Sequence, residues 1–90
     1  MTATEREKAG LALGRVQAAR EKALQPDGLI TASMETDVQN ALLVLKRSGC
    51  RGDVVQRVER IAATLFLMAR AKANNRPNLY NSQRLRLRQI

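Results

Sequence analysis

The longest helical pattern in the chain is DVVQRVERIAATLFLMARA, residues 53–71. Its apolar residues recur at the spacing of one face of an α-helix. Phe66 and Leu67 widen this apolar face, so we expect the helix to be the most buried one in the molecule. Asp53 and Gln56 have the spacing of a capping box, and the asparagines that precede the next proline predict the end of the helix near residue 74.

Two further helices are predicted upstream. Thr4 and Glu7 have capping-box spacing, and the turn residues 26–28 (Pro-Asp-Gly) end the pattern, which gives a helix over about 4–25. Thr31 or Ser33 caps the next helix.

Gly49 fits the C-terminal cap of this second helix, which we expect over about 31–48, and the third helix then covers about 53–74. The connections between the three helices are short, which favours antiparallel neighbours in a bundle.

The C-terminal segment has no clear pattern. Residues 74–83, NNRPNLYNSQ, are typical of a loop, and residues 84–90, RLRLRQI, alternate Arg and Leu. A strand, a short helix and a disordered arm that orders on binding are all compatible with this alternation. We therefore expect an all-α fold: a small three-helix bundle over 1–76, with a basic C-terminal extension or arm over 77–90.

Composition excludes several classes of protein. Ninety residues make at most one domain, and a single cysteine, Cys50, excludes an internal disulfide. No apolar run approaches the ~20 residues of a membrane span, and the first residues lack the apolar core of a signal peptide. We expect a cytoplasmic protein.

An enzyme is not expected. The chain has no histidine, one cysteine and no glycine-rich phosphate-binding motif. These absences leave no nucleophile with a base, no usual zinc site and no nucleotide-binding loop. We therefore predict no catalytic residues, no metal and no cofactor.

The positive charge is concentrated in the second half of the chain. Residues 1–49 carry seven Lys/Arg and six Asp/Glu, whereas residues 50–90 carry nine Lys/Arg and two Asp/Glu, within a total of +8. No acidic residue follows Glu59. Such an excess of positive charge attracts polyanions, either nucleic acid or an acidic protein surface.

The candidate polyanion-binding residues lie in this basic half. Most of them are arginines, and a guanidinium can bind phosphate oxygens through two parallel N–H bonds. The primary candidates are Arg70, Lys72, Arg76, Tyr80, Arg84, Arg86 and Arg88, with Arg57 and Arg60 as secondary ones. Tyr80 is included because a tyrosine can stack on an unpaired base.

Two weaker patterns suggest other contacts. Gly49, Arg57 and Arg60 would fit a DNA-binding helix-turn-helix, although an ordinary helical hairpin with a glycine cap explains the same residues. A strip of small residues on the first helix would permit close contact between helices, here in a homo-oligomer such as a homodimer. The strip consists of Gly10, Gly14 and Ala18.

The expected function is therefore that of a small, basic, nucleic-acid-associated regulatory or accessory protein, DNA-binding or RNA-binding, that acts through phosphate contacts. The first alternative is a protein-binding inhibitor or adaptor, of the kind found in phages and mobile elements, that docks on an acidic or nucleic-acid-binding surface of a host complex. The second alternative is a subunit of a helical oligomeric assembly. No motif in the chain is specific enough to indicate a family.

Overall fold

The computed structural model describes residues 2–26, 28 and 30–90, and within these it contains four helices and no strand. The helices are α1 (Ala3–Leu24), α2 (Ala32–Arg47), α3 (Gly52–Ala73) and α4 (Pro77–Gln89). The predicted all-α class is confirmed. Where we expected a third helix followed by an extension, the chain forms a third and a fourth helix. None of the described helices has the length and apolarity needed to cross a membrane.

The first helix starts earlier than predicted. Its N-cap is Thr2, whose hydroxyl oxygen accepts a hydrogen bond from the backbone N–H of Glu5 at 3.2 Å. The predicted box of Thr4 and Glu7 is therefore wrong. Thr2 and Glu5 have the same spacing as that pair, so the earlier threonine supplies the cap and Thr4 falls within the helix. The helix ends just before the predicted turn, of which Asp27 lies outside the described residues.

The caps of the next two helices differ from each other. Thr31, one of the two predicted alternatives, caps α2, and its hydroxyl accepts from the N–H of Met34 at 3.1 Å. The capping box predicted from Asp53 is wrong, because α3 already begins at Gly52. Asp53 instead pairs with the Arg51 guanidinium at 3.1 Å, in the first turn, where the helix dipole favours a carboxylate.

Two helices, α2 and α3, each end in a left-handed turn of the same kind. Gly49 has a φ of +67°, and its N–H donates to the carbonyl of Lys46, while the N–H of Cys50 donates to that of Leu45. These two bonds satisfy carbonyls at the end of α2 and confirm the predicted cap at Gly49. Asn75, with a φ of +54°, ends α3 by the same pair of bonds.

The core is aliphatic and draws on all four helices. Along α1 it is mostly alanine, which lets that helix pack closely against its neighbours α2, α3 and α4. The bundle is elongated, with extents of 45 × 22 × 18 Å. The largest fully buried side chains come from every helix: Val16, Val38, Leu45, Val58, Ile61, Leu65, Met68 and Leu87.

The loop predicted over residues 74–83 is wrong from Pro77 onward. Proline at the start of α4 is compatible with a helix, because the first helical N–H groups have no partner within the helix. Tyr80, Arg84 and Leu87 have helical spacing, and this pattern is hidden by the alternation of Arg and Leu. Leu87 is fully buried, so α4 is part of the core.

As expected, α3 has more buried residues than any other described helix, but Phe66 and Leu67 are not the reason. Phe66 and Leu67 do not extend its buried face, because their side chains are 49% and 38% exposed. The helices that cover α3 lie on other sides of it, which leaves this outer face in contact with solvent.

The role of α4 in the core leads to a stability prediction. Replacing Leu87 with Ala should lower the free energy of unfolding by about 2–5 kcal/mol, because it leaves a cavity beneath α4. Leu85→Ala, on the exposed side of the same helix, should change it by less than about 0.5 kcal/mol. Urea unfolding of both variants measures the difference. Equal effects would mean that α4 is not docked.

Candidate polyanion interface

The basic residues fall into two groups: those in the first group hydrogen-bond to the bundle itself, and those in the second extend into solvent. Arg84 belongs to the first group. Its Nη2 donates to the carbonyl oxygen of Leu24 at 2.6 Å, and its side chain is half-buried. Leu24 is the last residue of α1, where carbonyls lack partners and the helix dipole favours a cation. Arg84 therefore caps α1.

Tyr80 and Lys72 meet at the connection between α1 and α2. The Tyr80 hydroxyl donates to the carbonyl oxygen of Gly28 at 3.2 Å, and Lys72 Nζ donates to the same oxygen at 3.3 Å. Lys72 Nζ also lies 5.7 Å from the centroid of the Tyr80 ring, where cation and ring attract each other. The ring that we expected to stack on a base is thus engaged inside the bundle.

Gly28 itself is constrained by this contact. Its φ of +49° is a conformation that residues with a side chain rarely adopt, and a Cβ atom there would collide with the Tyr80 hydroxyl. The close approach of Tyr80 to the backbone therefore requires glycine at this position.

A further capping arginine was not predicted from the sequence. Arg20 of α1 donates from Nε to the carbonyl of Leu87 at 3.3 Å and from Nη2 to that of Arg88 at 3.0 Å. Arg20 and Arg84 thus cap each other's helix, since α1 and α4 run antiparallel. Nothing in the local sequence marks Arg20, because the contact joins residues far apart in the chain.

Arg57, a secondary candidate, makes a similar bond. Its Nε donates to the carbonyl of Ile90 at 3.0 Å, next to the end of α4. Its side chain is otherwise exposed on α3, one turn before Arg60. Arg57 therefore shares features of both groups, because it hydrogen-bonds to the bundle and is also exposed to solvent.

Two other arginines converge on a groove between α3 and α4. Because α4 folds back antiparallel along α3, Arg86 comes to lie across the groove from Arg60, and both are exposed. The described part of the chain places no hydrogen-bond or ion-pair partner at either guanidinium. The groove has a volume of about 360 Å³ and is lined by Arg60, Ala63, Thr64, Leu67, Arg86 and Ile90.

The remaining predicted arginines are also exposed. Arg76 and Arg88 lie in solvent near opposite ends of α4. Arg70 lies on the outer face of α3, where its guanidinium carbon is 5.4 Å from the centroid of the Phe66 ring. We use the name α3–α4 face for the surface formed by Arg60, Arg70, Arg86 and the groove between the two helices.

The acidic residues of α3 are Asp53 and Glu59, of which Glu59 is exposed next to Arg60. Between described residues, the only ion pair joins Arg51 and Asp53, and no acidic residue follows Glu59 in the sequence. The exposed arginines therefore produce a positive potential that extends into solvent.

Comparison with protein-family models, curated proteins and solved structures finds no match to this chain. The functional argument therefore depends on the geometry and charge of these residues.

The small-residue strip of α1 lies on another surface. Gly10, Gly14 and Ala18 are exposed, and a Cβ atom built at either glycine would meet nothing within 4 Å. No described helix of this chain packs on the two glycines. The strip stays a predicted position for contact with another copy.

The division into two groups predicts different effects on stability. Arg84→Met should lower the free energy of unfolding by about 1–2 kcal/mol, because it removes a charged hydrogen bond from the end of α1. Arg86→Met, which makes the same change at a solvent-exposed position, should alter it by less than about 0.5 kcal/mol. Thermal or urea unfolding distinguishes them. A larger loss for Arg86→Met would contradict the division.

Proposed function

We propose that this chain is a small nucleic-acid-binding protein that contacts phosphates through the α3–α4 face. The observation that carries the proposal is the pair formed by Arg60 and Arg86. They come from different helices, line one groove, and have no acceptor within the described chain. Arginine binds phosphate oxygens through two parallel N–H bonds, so a pair of available guanidiniums suits a phosphate backbone.

The packing of α4 supports this function by fixing the backbone that carries Arg86. The helix is anchored at Leu87 and Arg84, so Arg86 is held on a rigid element rather than on a mobile arm. A preorganised cation loses less conformational entropy on binding than one on a disordered segment. The net charge of +8 would add long-range attraction between the chain and a polyanion.

A second candidate is an inhibitor or adaptor that docks on an acidic protein surface. The observation that favours it is the apolar surface among the arginines. Leu67 is 38% exposed in the groove, and Leu85 is 54% exposed on α4. Protein interfaces combine apolar side chains with arginine, whereas phosphate contacts alone require no leucine.

Charge reversal tests the first proposal. The double variant Arg60→Glu/Arg86→Glu should weaken binding of a labelled oligonucleotide by at least about tenfold, because two phosphate contacts are lost. The same loss should make the negative slope of log affinity against log salt shallower by about 1.4–1.8. Fluorescence anisotropy across a salt series gives both quantities.

The matched control is Arg6→Glu/Arg15→Glu. It makes the same change in net charge at exposed positions of α1. We expect it to weaken binding by less than about threefold, because α1 contributes no residue to the α3–α4 face and salt screens exposed charges. Equal losses in the two double variants would exclude a localised interface, and unchanged binding in both would move the protein-docking function to first place.

A further inference from the structure

We infer that the nucleic acid bound by this chain is single-stranded, and that an unpaired base stacks on Phe66 at the groove between α2 and α3. This inference rests on the proposed function and gives it a ligand class. It arises from a side chain that is apolar, aromatic and exposed beside the α3–α4 face.

Phe66 has unusual surroundings for the only phenylalanine of the chain. Its side chain is 49% exposed, although a core position would bury it. The Arg70 guanidinium lies over the ring, with its carbon 5.4 Å from the centroid. Aromatic rings and guanidinium planes are the side-chain surfaces on which unpaired bases stack.

The ring borders a groove with both apolar and polar walls. The groove has a volume of about 440 Å³ between α2 and α3. Val38, Ala62 and Leu65 at its base are buried, so its accessible apolar surface comes from Phe66 and Ala32, and its polar lining includes Glu35 and Gln39. A nucleobase has apolar faces and polar edges, so such a groove offers contacts to both.

Charge indicates which part of a nucleotide would enter the groove. The Glu35 carboxylate repels a phosphate but accepts hydrogen bonds from the amino group of a base. The Gln39 amide can both donate and accept. Phosphates would instead lie near Arg70, beside the ring, and near Arg60, which is about 80° from Arg70 around the axis of α3.

The distance between these positions suits a short length of strand. Phe66 lies six residues after Arg60 on the same helix, which corresponds to about 9 Å along its axis and about 120° around it. A strand that joins the two positions therefore has to curve around α3, past Arg70, over more than the two or three stacked nucleotides that span about 9 Å. A strand on this path could contact Arg60 and Arg70 and place a base on Phe66.

Duplex nucleic acid does not offer the same contact. Its bases are paired and stacked on one another, so an aromatic surface finds no exposed base face unless a base is first extruded at an energetic cost. Tyr80 is less suited than Phe66, because it is half-buried and its hydroxyl is bound to the carbonyl of Gly28.

The first experiment uses the ring resonances of the intact, isotope-labelled chain in NMR. Phe66 and Tyr80 are the only two aromatic residues, so their ring protons are assigned without ambiguity. On titration with a single-stranded oligonucleotide of about 12 nucleotides, we expect the Phe66 ring protons to shift upfield through the ring current of the base. The Tyr80 ring serves as the internal control and should shift little.

The second experiment compares Phe66→Leu with Phe66→Tyr by fluorescence anisotropy, on the same strand and on its duplex. Phe66→Leu keeps apolar volume but removes the ring, so single-strand affinity should fall by about 5- to 150-fold, with duplex affinity unchanged within about twofold. Phe66→Tyr keeps the ring and should retain single-strand affinity. Circular dichroism melting checks that both variants fold.

The outcomes separate this inference from the proposed function. If Arg60→Glu/Arg86→Glu weakens binding while Phe66→Leu leaves single-strand affinity unchanged, the stacking inference is overturned and the phosphate interface stands. Tighter binding of duplex than of single strand, or a shift of the Tyr80 ring in place of Phe66, would also overturn it. If the wild-type chain binds neither polymer, the proposed function fails and the inference fails with it.

Discussion

The docking of α4 determines what the basic residues of this chain can do. Leu87 is fully buried in the core that α4 shares with its neighbours α1 and α3. Its position brings Arg84 to the carbonyl of Leu24 at the end of α1, and it brings the end of α4 within reach of Arg20. If α4 detached, these helix ends would lose their cations together, and the groove beside Arg60 would lose its second wall.

Arginine therefore has two roles in the same short helix. Arg84 stabilises the bundle because its guanidinium meets backbone carbonyls at the negative end of a helix dipole. Arg86 is two residues further along α4 and lines the groove, where the described chain offers it no acceptor. An arginine of the first kind stabilises the fold, and one of the second kind is available for a ligand. The sequence alone assigns both to one basic arm.

Much of the fold is predictable from local patterns, and the candidate site is less so. The spacing of α3 and the glycine that ends α2 act within a few residues, so the sequence shows them directly. The sequence leaves the fourth helix as one of three alternatives, because its helical spacing lies within an alternation typical of a strand. Periodicity also identifies an apolar face without showing which part of it a neighbouring helix will cover. Only the tertiary arrangement places Tyr80 on the backbone of Gly28 and leaves Phe66 half-exposed beside Arg70.

The most direct test of the central claim is the affinity of the wild-type chain for single-stranded DNA, RNA and duplex DNA across a salt series. If the three arginines of the α3–α4 face contact phosphates, log affinity for a single strand should fall against log salt with a slope of about −2. The affinity near physiological salt should be tighter than about 1 μM, beyond the ordinary range of non-specific binding. Weak binding that is alike for all three polymers, or binding that salt does not affect, would contradict the account.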